Sequence, residues 1–242
     1  MNKLFLTIAA LALGTGAALA QETVRIGTEG AYPPYNFIND ANELDGFERE
    51  LGDAMCARAK LTCEWVINEW DSIIPNLVAG NYDAIMAGMA ITEARRELIS
   101  FSEGYLPADP SVYVTLAGND ESVIEGVVAV QSNTIQASHV AETEASLLEF
   151  PTPDETIAAV RSGEADAVLA DDSFLKPIVA ESNGELIFIG DPIILGEGVG
   201  MGLRKDDEKL RETFDAMITE MKGDGSLNEL IKKWFGADAK LF

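Results

Sequence analysis

Two adjacent arginines, Arg95 and Arg96, stand where cations are unusual. Thr92 has the residue type of a helix N-cap, which places Arg95 at the third helical position, where a capping box carries Glu or Gln. The helix dipole makes that end of a helix positive, so cations are disfavoured there. Two guanidinium groups beside unpaired backbone N–H groups indicate a pocket for an anion. The alternative is that both arginines are solvated and pair with Glu93 or Glu97.

A segment that occurs twice in the sequence points to a second charged residue, a carboxylate. The two copies are Gly80-Asn-Tyr-Asp-Ala-Ile-Met-Ala-Gly88 and Gly163-Glu-Ala-Asp-Ala-Val-Leu-Ala-Asp171, which share the pattern G-x-x-D-A-apolar-apolar-A. Each copy predicts a buried strand after a helix and a glycine, and open α/β sheets bind ligands at the carboxyl ends of their strands. One loop leads to Arg95, and the other carries Asp171. Facing each other on two lobes, these loops would suit a zwitterionic α-amino acid.

Two further loops also follow predicted strands. The first contains Glu29, Tyr32 and Tyr35, with two prolines and a glycine that exclude regular structure. A rigid loop at a strand end is a candidate binding loop, although core packing explains Tyr35 better. The second contains Trp70, just before a helix that Asp71 is expected to cap. Trp70 is either a platform for a ligand or a core residue, and its loop position favours the platform.

Strands and helices alternate along the chain, which predicts an α/β fold. The predicted strands are 24–28, 62–67, 84–87, 111–116, 127–131, 186–189 and 199–203. The predicted helices are 46–59, 71–78, 134–148, 174–179, 207–221 and 226–235, with another from Pro153 to Gly163. Pro107 and Pro110 flank a short polar break, which predicts a crossing between two lobes. Strand 199–203 is expected to return to the first lobe.

The first twenty residues predict a signal peptide that is not part of the fold. Lys3 is followed by an apolar run from Leu4 to Leu13 and by an A-x-A cleavage site at Ala18-Leu-Ala20. This run is too short to span a membrane, which takes about 20 apolar residues, and no other stretch is long enough. We therefore expect the mature protein to begin near Gln21 and to be exported to the periplasm.

The chain is strongly acidic, with a formal net charge of -24 that becomes -25 without Lys3. This balance argues against nucleic acids and anionic membranes as partners. Cys56 and Cys63 form the only cysteine pair, and in an exported protein such a pair is expected to be a disulfide. His139 is the only histidine, which argues against a metal site, and no cofactor is expected.

Several motifs together resemble one family. They are Ile26-Gly-Thr-Glu-Gly-Ala-Tyr-Pro-Pro-Tyr35, Gly46-Phe-Glu-Arg-Glu-Leu51, Asp83-Ala-Ile-Met86, Ile91-Thr-Glu-Ala-Arg95 with Phe101-Ser102, and Gly200-Met-Gly-Leu-Arg-Lys205. Over nearly the whole mature chain, they resemble the periplasmic solute-binding proteins of family 3, which serve ABC importers of polar amino acids. The chain is most similar to the lysine/arginine/ornithine and histidine binders, whose disulfide the cysteine pair matches. The resemblance implies a two-lobed type II fold, joined by two crossing strands, with the ligand in the cleft.

The resemblance also implies roles for the candidate residues. Arg95 would bind the ligand carboxylate together with a backbone N–H group at Thr134, and Asp171 would bind the α-ammonium group. Tyr32 and Trp70 match positions that enclose the ligand side chain.

Three further positions bear on specificity. Glu29 matches an acidic residue that meets a cationic side-chain end. Gly88 and Ala90 stand where the family often has hydroxyl groups, so they would contribute backbone groups only. The space at Gly88 would also admit a bulkier ligand, such as an arginine derivative.

The implied protein is a monomer that captures a cationic amino acid by lobe closure and docks transiently on a membrane permease. Its expected lobe 1 is 21–108 plus 196–242, and its expected lobe 2 is 109–195. One alternative is a periplasmic enzyme on the same scaffold, such as a cyclohexadienyl dehydratase, which needs a general acid in the cleft. Another is the sensor domain of a receptor, which the absence of a spanning helix after the signal disfavours.

Overall fold

The computed structural model describes residues 23–242, so the expected signal peptide lies outside the described residues. The strands are β1 (Thr23–Thr28), β2 (Ala31–Tyr32), β3 (Asn36–Ile38), β4 (Leu44–Asp45), β5 (Thr62–Ile67), β6 (Ala84–Ile85), β7 (Ser100–Leu106), β8 (Pro110–Leu116), β9 (Val127–Gln131), β10 (Ser146–Phe150), β11 (Ala167–Asp171), β12 (Leu186–Ile194) and β13 (Val199–Leu203). The α-helices are α1 (Phe47–Ala59), α2 (Ile73–Val78), α3 (Glu93–Arg96), α4 (Ile135–Ala141), α5 (Pro153–Ser162), α6 (Asp172–Glu181), α7 (Glu208–Gly223) and α8 (Ser226–Phe235). Across residues 23–242, no helix combines the length and the apolar character needed to cross a bilayer.

Two five-stranded sheets define two lobes. Lobe 1 has the strand order β5-β1-β6-β13-β7, and lobe 2 has the order β10-β9-β11-β8-β12. The central strand of each sheet, β6 or β11, has one parallel and one antiparallel neighbour. A small sheet of β2, β3 and β4 follows the first strand of lobe 1. The expected two-lobed α/β fold is therefore confirmed.

The chain passes between the lobes twice. It leaves lobe 1 after β7 and enters lobe 2 at β8, through the segment between Leu106 and Pro110. It returns between Ile194 at the end of β12 and Val199 at the start of β13. The two connections therefore comprise residues 107–109 and 195–198.

Each lobe buries an apolar cluster on both faces of its sheet. In lobe 1, helices α1, α7 and α8 cover one face, where Phe47, Phe214 and Ile231 are fully buried. On α8, Leu227 is also fully buried, and Leu230 and Trp234 pack against the same cluster. Burial on both faces explains why the inner strands are continuous apolar runs.

Two predicted elements were wrong. The helix expected over 134–148 ends at Ala141, and Ser146–Phe150 is strand β10, paired in parallel with β9. Pairing with a sheet edge outweighs local helix propensity there. Asp71 does not cap α2, since Ser72 is the residue at the N-cap. The Asp71 carboxylate instead accepts hydrogen bonds from lobe 2. Strand 84–87 is also shorter than predicted.

The cysteine pair forms the expected disulfide. Cys56 near the end of α1 is bonded to Cys63 in β5, with their Cα atoms 6.2 Å apart. It joins a core helix to the edge strand of the lobe 1 sheet.

Candidate functional site

One cavity between the lobes is lined by all the candidate ligand residues. Its walls include Glu29, Tyr32, Trp70, Gly88, Ala90, Arg95, Thr134 and Asp171. The crossing segment between β7 and β8 contributes Asp109 to the same walls. The structure therefore brings together residues that are up to 142 positions apart in sequence, from Glu29 to Asp171.

Arg95 enters the cavity, whereas Arg96 does not. Thr92 is the N-cap of α3 as predicted, and its hydroxyl accepts from the Arg95 N–H at 3.2 Å. With only four residues, α3 has too small a dipole to define the site. Arg96 is half-exposed and pairs with Glu197 at 2.6 Å and with Glu93 at 3.6 Å. The solvated alternative thus applies to the second arginine only.

The Arg95 guanidinium is held by neutral groups. It donates to the Ala90 carbonyl at 2.9 Å and to the Asn133 carbonyl of lobe 2 at 3.1 Å. Its Cζ lies 5.2 Å from the centre of the Trp70 ring, within the range of a cation–π contact. Burial lowers the pKa of Arg95 to about 10, with Asp171 acting in the opposite direction. The side chain stays charged at neutral pH, and no carboxylate of residues 23–242 forms an ion pair with it.

Among residues 23–242, only neutral groups donate hydrogen bonds to the Asp171 carboxylate as well. It ends strand β11, and its carboxylate accepts from the Tyr32 hydroxyl at 3.0 Å and from Gln136 Nε2 at 2.8 Å. Burial, followed by the nearby Asp109, raises the pKa of Asp171 to about 7. The shift has the sign expected for a buried carboxylate without a bonded cation.

Each aromatic candidate contacts one of the two charged residues, Tyr32 contacting Asp171 and Trp70 contacting Arg95. Tyr32 stacks on Phe174 of lobe 2, with ring centres 4.5 Å apart and an angle of 15° between the planes. One face of Tyr32 is therefore used in packing between the lobes. Trp70 is nearly buried beside Arg95 and also lines the cavity, so both of its sequence interpretations apply. Tyr35 is a core residue, as predicted.

Glu29 follows β1 and faces lobe 2. Its Oε1 accepts from Gln131 Nε2 at 2.6 Å. Burial raises the pKa of Glu29 to about 7, and the neighbouring carboxylates of Asp71 and Asp154 act in the same direction. Within residues 23–242, no lysine or arginine forms an ion pair with Glu29.

The backbone N–H groups of Gly88, Ala90 and Thr134 differ in whether they are already hydrogen-bonded within the protein. The Gly88 N–H donates to the buried Glu48 carboxylate at 2.7 Å, so it is already used within the protein. The N–H groups of Ala90 and Thr134 have no hydrogen-bond acceptor among the described residues. Thr134 is the N-cap of α4, and its hydroxyl accepts from the Ala137 N–H at 3.1 Å. Free backbone donors thus lie on both sides of the cleft.

Sequence reasoning missed four polar residues around the site. Gln131 donates to Glu29 and Gln136 donates to Asp171. Asp109 accepts from the Tyr35 hydroxyl, and Glu48 accepts from the Gly88 N–H. Gln131 ends a correctly predicted strand, so the strand-end rule applied to β9 would have found it. Gln136 lies inside a helix, where no sequence signal separates it from a surface residue.

Comparisons with known proteins identify the family. The sequence profile of the bacterial extracellular solute-binding proteins, family 3, matches residues 24–237. A crystal structure of a periplasmic His/Glu/Gln/Arg/opine family-binding protein from Silicibacter pomeroyi, in complex with lysine, is 64% identical with a TM-score of 0.88, covering 90% of this chain and 100% of that one. The histidine-binding periplasmic protein of Escherichia coli K12 is 31% identical over 98% of both chains. The octopine-binding periplasmic protein of Rhizobium meliloti is 32% identical over 95% of this chain and 96% of its own.

These relatives are named as binding proteins, so the expected solute-binding role and extracytoplasmic location are confirmed, and the dehydratase alternative gains no support. The fold, the cleft and the profile match agree with one another. The chain belongs to the bacterial extracellular solute-binding proteins, family 3.

Proposed function

We propose that this protein captures a cationic amino acid in the periplasm for an ABC importer. Arg95 binds the α-carboxylate, together with the free N–H groups of Ala90 and Thr134. Asp171 binds the α-ammonium group. The observation that carries the proposal is that Arg95 and Asp171 line one cavity from opposite lobes while each is bonded to neutral groups alone.

The charges of the cavity favour a ligand with a net positive charge. Glu29, Asp109 and Asp171 are its carboxylates, and Arg95 is the one cation on the walls formed by the described residues. Asp109 is satisfied by the Tyr35 hydroxyl and the Ser173 N–H, both at 3.0 Å. Glu29 is the carboxylate that binds the cationic end of the ligand side chain. The relatives that bind lysine and histidine by name are consistent with this choice.

An arginine-derived opine fits this cavity less well. Such a molecule carries a second carboxylate, and the described walls offer a single guanidinium to bind one. The second carboxylate would be buried near Asp171 without a cation, which is costly. Lysine, arginine, ornithine and histidine are therefore the preferred class.

Binding favours the closed arrangement, because only that arrangement brings both lobes onto the ligand. The liganded monomer then docks on the membrane permease, and the signal peptide at residues 1–20 accounts for export. Expression with and without residues 1–20, followed by fractionation, tests the export step.

The central experiment is calorimetry on the mature protein after removal of any bound ligand by unfolding and refolding. We expect saturable binding of at least one of lysine, arginine, ornithine and histidine. Octopine, glutamine and glutamate complete the panel, and glutamate should bind least because it adds a carboxylate to an acidic cavity. Glutamate binding as tight as that of lysine would contradict the proposal.

A further inference from the structure

A glutamine of lobe 2 donates a hydrogen bond to a cavity carboxylate of lobe 1. Gln131 is the last residue of β9, and its Nε2 donates to Glu29 Oε1 of lobe 1 at 2.6 Å. The same Nε2 donates to the Pro151 carbonyl at 3.2 Å. Both partners are acceptors, which sets the orientation of the amide chemically. Gln131 is 9% exposed, so this contact is shielded from water.

The type of donor matters for the charge of Glu29. An amide holds a carboxylate in place but adds no positive charge, whereas an arginine at the same position would neutralise it. The charged groups that act on Glu29, namely Asp71, Asp154 and Glu48, are all acidic. The protein therefore supplies no cation to Glu29, and a ligand cation would meet the Glu29 carboxylate in a fixed position.

The contact exists only when the lobes meet, because its two residues lie on different sheets. Resting on the function proposed above, we propose that Gln131 is a positioning residue for specificity: it fixes Glu29 across the cleft on closure, so that the side chain of the ligand is read in the closed state. A simple contact between lobes would stabilise closure on every ligand equally. A positioning role instead changes the preference between cationic and neutral side chains.

The chain offers a matched control for this test. Gln136 also donates from Nε2 to a cavity carboxylate, Asp171, at 2.8 Å. Asp171 faces the α-ammonium group that all amino acids share. The same substitution at the two glutamines therefore separates side-chain recognition from recognition of the common backbone.

The experiment measures the dissociation constants of lysine and glutamine by calorimetry, using displacement of lysine where glutamine is weak. In Gln131→Leu, the preference for lysine over glutamine should fall about tenfold, as expected for a lost hydrogen bond to a charged group. In Gln136→Leu, both ligands should weaken by a similar factor, and the preference should stay within about twofold of the wild type. Gln131→Met repeats the first variant if Gln131→Leu fails to fold.

A double-mutant cycle shows whether Gln131 acts through Glu29. Adding Gln131→Leu to Glu29→Gln should change the preference less than about twofold, because the carboxylate that Gln131 positions is gone. An unchanged preference in Gln131→Leu, with a wild type that prefers lysine, would overturn this inference and leave the proposed function intact. A wild type that shows no preference for lysine or arginine over glutamine would overturn both.

Discussion

The two repeated helix–glycine–strand units make an instructive comparison. In lobe 2, α5 is followed by Gly163 with a φ of 77°, and strand β11 runs directly to Asp171 at its carboxyl end. In lobe 1, α2 is followed by Gly80 with a φ of 82°, but β6 has two residues and a longer loop leads to Arg95. Both strands are the central strands of their sheets, and the loops that follow them lead to residues of opposite charge. The local pattern sets where the cleft is, and the residues after the strand set what it binds.

The two charges are supported in the same way. Carbonyl groups hold Arg95, while a hydroxyl and an amide hold Asp171. Burial shifts the pKa of each side chain toward its neutral form, downward for Arg95 and upward for Asp171. A zwitterionic ligand would reverse both shifts, because it brings the missing opposite charge to each side chain.

The largest expected effect comes from removing either charge. Arg95→Ala and Asp171→Ala should each weaken lysine or arginine binding by roughly 2–5 kcal/mol, because a ligand charge is left buried without a partner. Calorimetry measures the loss. Arg96→Ala is the matched control, since its exposed ion pairs predict a change below about 1 kcal/mol. A loss below about 1 kcal/mol in either cleft variant, as small as that expected for Arg96→Ala, would break the comparison between the two units.

The disulfide lies in lobe 1 and should contribute to stability but not to ligand binding. Replacing Cys56 and Cys63 with serine should lower the free energy of unfolding by about 2 kcal/mol, since the closed loop is shorter than a 15-residue loop, for which the loss is about 3 kcal/mol. The bond lies in lobe 1, away from the cavity walls. Urea unfolding should show the loss, whereas the lysine affinity of the folded protein should not change. A large loss of affinity would link this part of lobe 1 to the cleft.

Glu29→Gln tests whether Glu29 recognises the ligand side chain rather than the α-carboxylate and α-ammonium groups that all amino acids share. We expect lysine and arginine to lose about 1.5 kcal/mol of binding free energy, the low end for a hydrogen bond to a charged group, while glutamine loses less. Competition calorimetry with the three ligands measures the selectivity. An equal loss for all three would assign Glu29 to closure in general rather than to the side chain.

The smallest expected effect is a pH dependence of closure in the empty protein. In the closed cleft, burial raises the pKa values of Glu29 and Asp171 to about 7, whereas solvated carboxylates titrate near about 4. The closed state therefore binds more protons than the open state, and it is favoured as the pH falls below about 7. Small-angle scattering should show more closed protein at about pH 5.5 than at about pH 8.

Lysine provides the control for the pH experiment. Its ammonium groups supply the cations that the empty cleft lacks, so the liganded protein should remain compact at both pH values. A radius of gyration of the empty protein that is the same at both pH values would mean that the raised pKa values do not influence closure.

Local patterns predicted much of the fold, and they failed where long-range contacts decide. Strands 62–67, 127–131 and 199–203 and helix 226–235 have the predicted bounds, because their apolar periodicity matches their burial. Local propensity predicts a helix over residues 142–148. It does not reveal the edge of β9, on which residues of β10 pair instead. The prediction that Asp71 is a helix cap is wrong because its carboxylate accepts hydrogen bonds from Ser132 and Asn133 across the cleft, and local sequence does not reveal such contacts.

The candidate site divides in the same way. By itself, the sequence determined the residue types at the strand ends, the repeated unit, the cysteine pair and the resemblance to the family, because these depend on neighbours along the chain. Only the tertiary structure decided that Arg95 enters the cavity while Arg96 does not, that Gly88 gives its N–H to Glu48, and that Gln131 meets Glu29. Those contacts join distant segments across a cleft, and their hydrogen bonds depend on how two lobes pack together rather than on local spacing.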